Sequence, residues 1–428
     1  MQHTRILAIL AAVFISTTAQ LSVAAETEAV THKTGTGYRL FEDKSVAINF
    51  RAFAYVRYLN QHGLDGTYTD SFGNTRSVDI RHDLQFNKAL LFFYGWFMDP
   101  KLVYLTYVWT CNTSQGQGAQ VVLAGNLRYL FSEHLILGAG IEGLPGVRST
   151  EGNFPQWLGV DNRLIADEYF RPSYTSGIWV QGTMADRFVY KAMLGDNLSQ
   201  LGVDAAQMDD TFDTWSGAIL WMPTTGEYGS GTGTFGDFEQ HKKLATRVGL
   251  HFTYSTENRQ SQPGTEDPEN SQIRISDGNV VFTPGLFGAG INVIDVAYHM
   301  VSVDAGAKYH GLSLEGEYYT RWVNHIRGDN VAQLGFDELK DHGFQLQGST
   351  MLKPQVLQLY VSGSKIFGEY GDPWDARLGA NWYPWDNKCV RWNNEFIKLD
   401  HSPVGALSLP YVVGGNGLAF SSNFEINF

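Results

Sequence analysis

A chain of 428 residues is long enough for two or three soluble domains, but Gly 46, Tyr 21, Phe 26 and Trp 11 with only 18% charged residues describe extended, aromatic-rich structure. A formal net charge of −13 excludes a nucleic-acid partner, which needs a basic footprint. The two cysteines, Cys111 and Cys389, lie too far apart in sequence to make a disulfide framework.

From the amino end, residues 1–25 read as a secretory signal. It has a basic Arg5, an apolar stretch from Ile6 to Ile15, and the small Ser22, Val23, Ala24 and Ala25 that a signal peptidase accepts. The apolar stretch is shorter than the ~20 residues a membrane-spanning helix requires. A periplasmic segment over 26–45 is expected next, followed by a wall of strands over 46–428. The longest later apolar run, Ala89 to Met98, is also too short for a helical span and is dense in aromatics.

From Val46 to Tyr58 the even positions are Val46, Ile48, Phe50, Ala52, Ala54, Val56 and Tyr58, while the odd ones include Asn49, Arg51 and Arg57. Such a two-residue rhythm gives a strand one apolar and one hydrated face. The rhythm returns in Val121, Leu123, Leu127, Tyr129 and Phe131 against Asn126 and Arg128, then in Leu135, Leu137, Ala139 and Ile141 against Glu142. It recurs in Val301, Val303, Ala305 and Ala307 against Asp304 and Lys308, and in Leu312, Leu314 and Tyr318 against Glu315, Glu317 and Arg321. Leu357, Leu359 and Val361 oppose Gln358 and Ser362, and Leu378, Ala380 and Trp382 oppose Arg377 and Asn381.

Connections alternate in length. Tight turns are expected at Asp99-Pro100-Lys101, Ser132-Glu133-His134, Ala185-Asp186-Arg187, His310-Gly311, Lys353-Pro354 and Asp386-Asn387. Longer polar segments fall between them at 61–77, 144–176, 196–213, 256–279, 324–342 and 400–415. A soluble sandwich would turn its polar face outward and use shorter strands. The alternation fits instead an all-β, transmembrane antiparallel β-barrel of about sixteen strands, with short periplasmic turns and long external loops. Thr224 to Gln240 is too long for the tight turn its position calls for. Aromatics flank the turns, as in Trp96-Phe97, Trp221 and Trp382-Tyr383-Pro384-Trp385, where rings with a polar edge suit the lipid–water boundary. The chain closes on Leu418, Phe420, Ser422, Phe424, Ile426 and Phe428 along one face, an ending that looks like the terminal aromatic signal handing outer-membrane proteins to the β-barrel assembly machinery.

Three stretches resemble the phosphate-selective porin O and P family: Asn87-Lys88-Ala89-Leu90-Leu91-Phe92-Phe93-Tyr94-Gly95-Trp96 running into Asp99-Pro100-Lys101; Asn162-Arg163-Leu164-Ile165-Ala166-Asp167-Glu168-Tyr169-Phe170-Arg171-Pro172 with Gly177-Ile178-Trp179; and Met193-Leu194-Gly195-Asp196-Asn197. The resemblance covers most of the mature chain. It implies a sixteen-stranded, trimeric outer-membrane porin of a Gram-negative bacterium, surrounded by lipid and lipopolysaccharide. The matching motifs belong to the scaffold, and the family's basic substrate ladder does not map onto this sequence residue by residue.

In a pore, charged side chains at the narrowest point decide which ions enter. The connection 144–176 joins the fifth and sixth predicted strands, and in porins that this chain resembles it folds inward as the constriction. It carries Arg148, Glu151, Asp161, Arg163, Asp167, Glu168 and Arg171. Arginines facing carboxylates across a narrow eyelet would set up a transverse field that orders dipolar solutes; the bland alternative is a loop of surface ion pairs. By parity the pore is lined by Arg51, Arg57, Arg128, Lys191, Lys308, Arg321, Arg377 and Arg391, against Glu142, Asp304, Glu315, Glu317, Asp375 and Glu395.

No metal, cofactor or catalytic site is expected. Gly231-Thr232-Gly233-Thr234-Phe235-Gly236 satisfies the dinucleotide spacing G-x-G-x-x-G, but has neither the buried strand before it nor the helix after it. Glu266, Asp267 and Glu269 lack any metal-loop pattern. His310 and Ser313 fall on opposite faces of a hairpin and cannot work as base and nucleophile. The expected function is passive diffusion of small hydrophilic solutes or ions, anions such as phosphate among them. The alternative is a receptor or adhesin built on the long external loops.

Overall fold

The computed structural model describes residues 37–112, 120–151, 157–199, 212–229, 234–258, 273–405 and 409–428. The signal segment expected over 1–25, Gly231 to Gly233 and the acidic Glu266, Asp267 and Glu269 lie outside the described residues. Strands dominate, because a chain whose polar and apolar residues alternate buries its backbone groups best by pairing edge to edge. A short strand β1 (Tyr38–Glu42) precedes β2 (Val46–Leu64), and a small hairpin β3 (Thr67–Thr69) and β4 (Thr75–Ser77) follows. Then come β5 (His82–Phe97), β6 (Asp99–Cys111), β7 (Gln120–Ser132), β8 (Leu135–Gly143), β9 (Tyr174–Ala185), β10 (Phe188–Gly195) and β11 (Thr214–Trp221). The rest are β12 (Ala245–Asn258), β13 (Asn292–Tyr309), β14 (Leu312–Asp329), β15 (Leu339–Lys353), β16 (Leu357–Phe367), β17 (Trp374–Trp382), β18 (Val390–Asp400) and β19 (Gly417–Asn427).

β2 and β5 through β19 pair antiparallel in sequence order, and β19 pairs back onto β2, with Ser422 opposite Tyr58 and Ile426 opposite Ala54. The result is a closed barrel of sixteen strands with no free edge. The segment expected to be wholly periplasmic before residue 46 contains β1, which pairs with β2 past the end of β19. There Phe428 exchanges two 3.0 Å backbone hydrogen bonds with Ala52. Its ring packs 5.7 Å from that of Tyr38 and 6.2 Å from that of Phe50, so the last residue seals the seam.

The two faces of the wall differ as the alternation requires. Outward side chains are apolar and uncovered, as at Val121 (69% exposed), Leu123 (70%) and Leu314 (67%), whereas inward Asp304 and Asn393 are fully covered. So continuous an apolar exterior is incompatible with water and suits lipid.

One rim carries the tight connections. Met98 alone turns β5 into β6 with φ 64, and Asp99 already belongs to β6, so that turn is shorter than the Asp99-Pro100-Lys101 expected. His310 and Gly311 (φ 50 and 85) make the mirror-image two-residue turn whose twist matches the flanking strands. At the other rim the strands outrun the sequence expectation. β14 continues to Asp329 and β15 begins at Leu339, leaving a connection of 330–338 where 324–342 was expected. Polar residues on both faces there hide the rhythm, as with Arg327 bonded to Asp295 at 2.8 Å.

Candidate pore constriction

The connection between β8 and β9 joins the fifth and sixth strands of the ring, as counted from the sequence. Its described part folds into the barrel, where a tight turn over Arg148–Thr150 and a short helix over Ile165–Phe170 are buried throughout. The helix is held on three sides. Ala166 N–H donates to Ser364 Oγ (3.0 Å), Tyr169 Oη donates to Asp341 (3.0 Å), and Phe170 O accepts from Tyr298 Oη (2.7 Å).

All seven charged residues expected at the constriction lie in this fold, and each meets an opposite charge. Arg171 grips Glu168 with a two-pronged bond of 2.8 and 2.6 Å. Arg163 lies over the Trp157 ring at 4.0 Å and approaches Asp167 (3.7 Å) and Glu168 (3.6 Å). Asp161 accepts from Lys88 (2.5 Å) and from Tyr55 Oη (2.7 Å). Glu151 pairs with Arg247 and His251 at 3.1 Å each. Arg148 bonds Glu315 on the wall and donates to Thr234 O (3.0 Å).

The sequence picture of arginines facing carboxylates across a gap is therefore corrected: the charges are contact pairs. A charge taken out of water is costly unless a partner touches it, and this loop is packed rather than suspended. Burial pushes the Asp167 carboxyl up to about 7, with Arg163 pulling the other way.

The wall residues divide sharply. Arg57 donates to Asn423 (2.6 Å) and Val160 O (2.7 Å); Arg321 pairs with Asp341 (2.5 Å), Arg377 with Asp375 (2.7 Å) and Arg391 with Glu425 (2.5 Å). Asp304 pairs with Arg247 (2.6 Å), Glu395 accepts from Tyr360 Oη (2.9 Å), and Glu317 accepts from Ser302 Oγ (2.7 Å). Lys191 meets Glu142 at 3.1 Å. Arg51 and Arg128 make no ion pair among the described residues and keep an unbonded Nε each. Lys88, Arg247, His251, Asp341 and Glu425 also belong to this network and were missed; carrying the inner parity through β5, β12, β15 and β19 would have found them.

The segment between β11 and β12, anomalously long for its rim, also folds inward. Lys308 Nζ donates to Tyr228 O (2.9 Å) and Thr234 O (2.7 Å), and Glu315 accepts from Gly236 N–H (2.9 Å). At its base the His241 ring sets Nδ1 on Asp237 and Nε2 on Glu227 (3.1 Å). Two inward folds, one from each rim, thus meet at Arg148.

A scan against protein-family models found no match, and a search of curated proteins found none. Solved structures do resemble the chain. OmpT of Vibrio cholerae, an outer membrane protein in its trimer form, superposes with a TM-score of 0.53 at 10% identity, covering 90% of this chain and 100% of that one. The anion-selective porin from Comamonas acidovorans gives the same four values. The outer membrane channel DcaP of Acinetobacter baumannii gives 0.54 at 9% identity, covering 91% and 99%. At such identities the likeness carries the fold, and it is the fold of outer-membrane porins.

Proposed function

We propose that the chain is a porin of a Gram-negative outer membrane, exported by its leader, inserted by the β-barrel assembly machinery and passing small hydrophilic solutes or ions by diffusion. The observation that carries this is a closed ring of sixteen strands, apolar outside and polar inside, with a connection folded into its lumen. A homotrimer in a lipopolysaccharide-bearing leaflet fits the resemblance to the phosphate-selective family and the trimer form of the Vibrio protein. Anion preference is supported by Arg51 and Arg128, two partly open inner-face cations that pair with no carboxylate among the described residues.

The described loop segments favour a channel over a receptor or adhesin, because 144–151, 157–173 and 273–283 pack into the barrel rather than projecting from it. A hydrolase has no support at the pair considered: His310 forms the turn and Ser313 is bonded to Ser349 (2.9 Å). Reconstitution into a planar bilayer tests the proposal. Current steps that scale with salt, and a reversal potential of anion sign in a salt gradient, are expected. Absence of current from a correctly folded barrel would overturn it.

A further inference from the structure

The two halves of the inner wall are not equally covered. From β12 to β19 inward positions are buried almost throughout, because the loop folds lie against them. On the tight-turn half of β2, β5, β6 and β7 the inward side chains, the buried Ala47 apart, are instead partly open. Three of them are consecutive inward positions of β5: Phe92, Tyr94 and Trp96. They form an aromatic stripe about 13 Å long, at ~6.8 Å per inward step.

Its polarity is opposite to that of the lipid belt. Phe97, Trp221, Trp382 and Trp392 belong to the outward parity, whereas the stripe shares its rows with the inward Ala47, Asn49 and Arg51. Aromatic faces set towards a water-filled lumen gain nothing from lipid; they gain from a flat solute laid against them.

The stripe is flanked by Arg51 and Arg128, which make no ion pair among the described residues. Arg51 sits opposite Phe92 on the neighbouring strand, its guanidinium 5.0 Å from the ring centre. Arg128 shares a row with Trp96 through Val103, two strands away, or about 10 Å between backbones. A guanidinium with no carboxylate partner is suited to take a carboxylate with two parallel hydrogen bonds.

We infer that Phe92, Tyr94 and Trp96, with Arg51 and Arg128 at either end, form a subsite for small organic anions with a flat conjugated body, such as aromatic carboxylates. The ring slides along the stripe while the carboxylate passes from one arginine to the other. This rests on the channel reading and narrows its solute class: a compact anion such as phosphate would use the arginines and ignore the rings.

Single-channel current in potassium chloride is the test, with benzoate and acetate as probes added to either side. Benzoate should reduce the current at a concentration at least fivefold lower than acetate. Tyr94→Ala should abolish most of that difference, and Arg128→Gln should weaken both probes. Should Tyr94→Ala fail to insert, the benzoate-to-acetate permeability ratio of the unaltered chain, from reversal potentials, decides alone, with a ratio above the free-mobility ratio of the two ions expected. Equal behaviour of benzoate and acetate in a conducting channel overturns the subsite and leaves the porin reading standing. No current at all overturns both.

Discussion

Replacing Arg148 with alanine removes a cation that touches both inward folds at once. Its guanidinium pairs with Glu315, each side chain only 1% exposed, lies 4.1 Å from the Phe235 ring and donates to Thr234 O. At that depth solvent screening does not discount the pair, and removing one partner of a buried pair costs about 3–5 kcal/mol, since the other charge stays buried alone. Even 3 kcal/mol shifts a docked-to-undocked ratio by roughly a hundredfold. Arg148→Ala should therefore lower unfolding stability in detergent and raise open-channel current noise as the constriction loosens. Adding Glu315→Gln removes the orphaned charge while keeping an acceptor for Gly236 N–H (2.9 Å). The double variant should then be about 2 kcal/mol more stable than the sum of the single effects. Additive losses, or quiet channels in Arg148→Ala, would show that this pair does not hold the two folds together.

Removing Arg148, Arg163 and Arg171 together leaves Glu315, Asp167 and Glu168 without their cations, and the reversal potential in a salt gradient should move towards cation preference; no movement would take this loop out of the ion path. Burial works against charge on His241, but hydrogen bonds to Asp237 and Glu227 outweigh it and raise its pKa above the usual 6.5. A raised pKa stabilises the folded segment fully below about 6.5, and that contribution fades as pH climbs through the folded value. Protease cleavage within 222–244 should accordingly increase on the alkaline side, and His241→Gln should flatten that dependence. Cys111 ends β6 at the loop rim while Cys389 lies at the tight-turn rim, and neither is in a disulfide, so mass analysis without reductant should find no intramolecular bond. Deleting Phe428 removes ring contacts worth about 0.5–1.5 kcal/mol each and two backbone bonds at the seam. The fraction of chain reaching the folded, heat-modifiable form should fall.

The wall was legible because lipid imposes its own rhythm. Val121, Leu123 and Leu127 must face outward whatever lies inside, so period two survives in the sequence and the strand count follows. The insertion between β11 and β12 was legible only as an excess of length. Its direction depends on Lys308, Glu315 and Gly311, which lie more than sixty residues later, and no local pattern announces a contact of that range.

The site was half legible for a deeper reason. An inward strand position facing water and one facing the polar backbone of a packed loop make the same demand, a side chain that can donate or accept hydrogen bonds, so parity alone cannot separate a wet wall from a covered one. Arg51 and Arg321 both read as pore lining. Yet Arg321 is buried against Tyr169, Asp341 and Arg274 O, while Arg51 is partly open and has no ion pair among the described residues. What does separate the two halves is charge matching, because a covered charge must bring its counter-charge with it. Asp304, Glu315, Glu317, Asp341, Asp375, Glu395 and Glu425 accompany the cations of β12 to β19, whereas the inner face of β2, β5 and β6 sets arginine and lysine beside aromatic rings. A barrel sequence in which acid–base density changes from one half of the strands to the other is thus expected to hold its loops against the dense half and to leave its solute path along the sparse one.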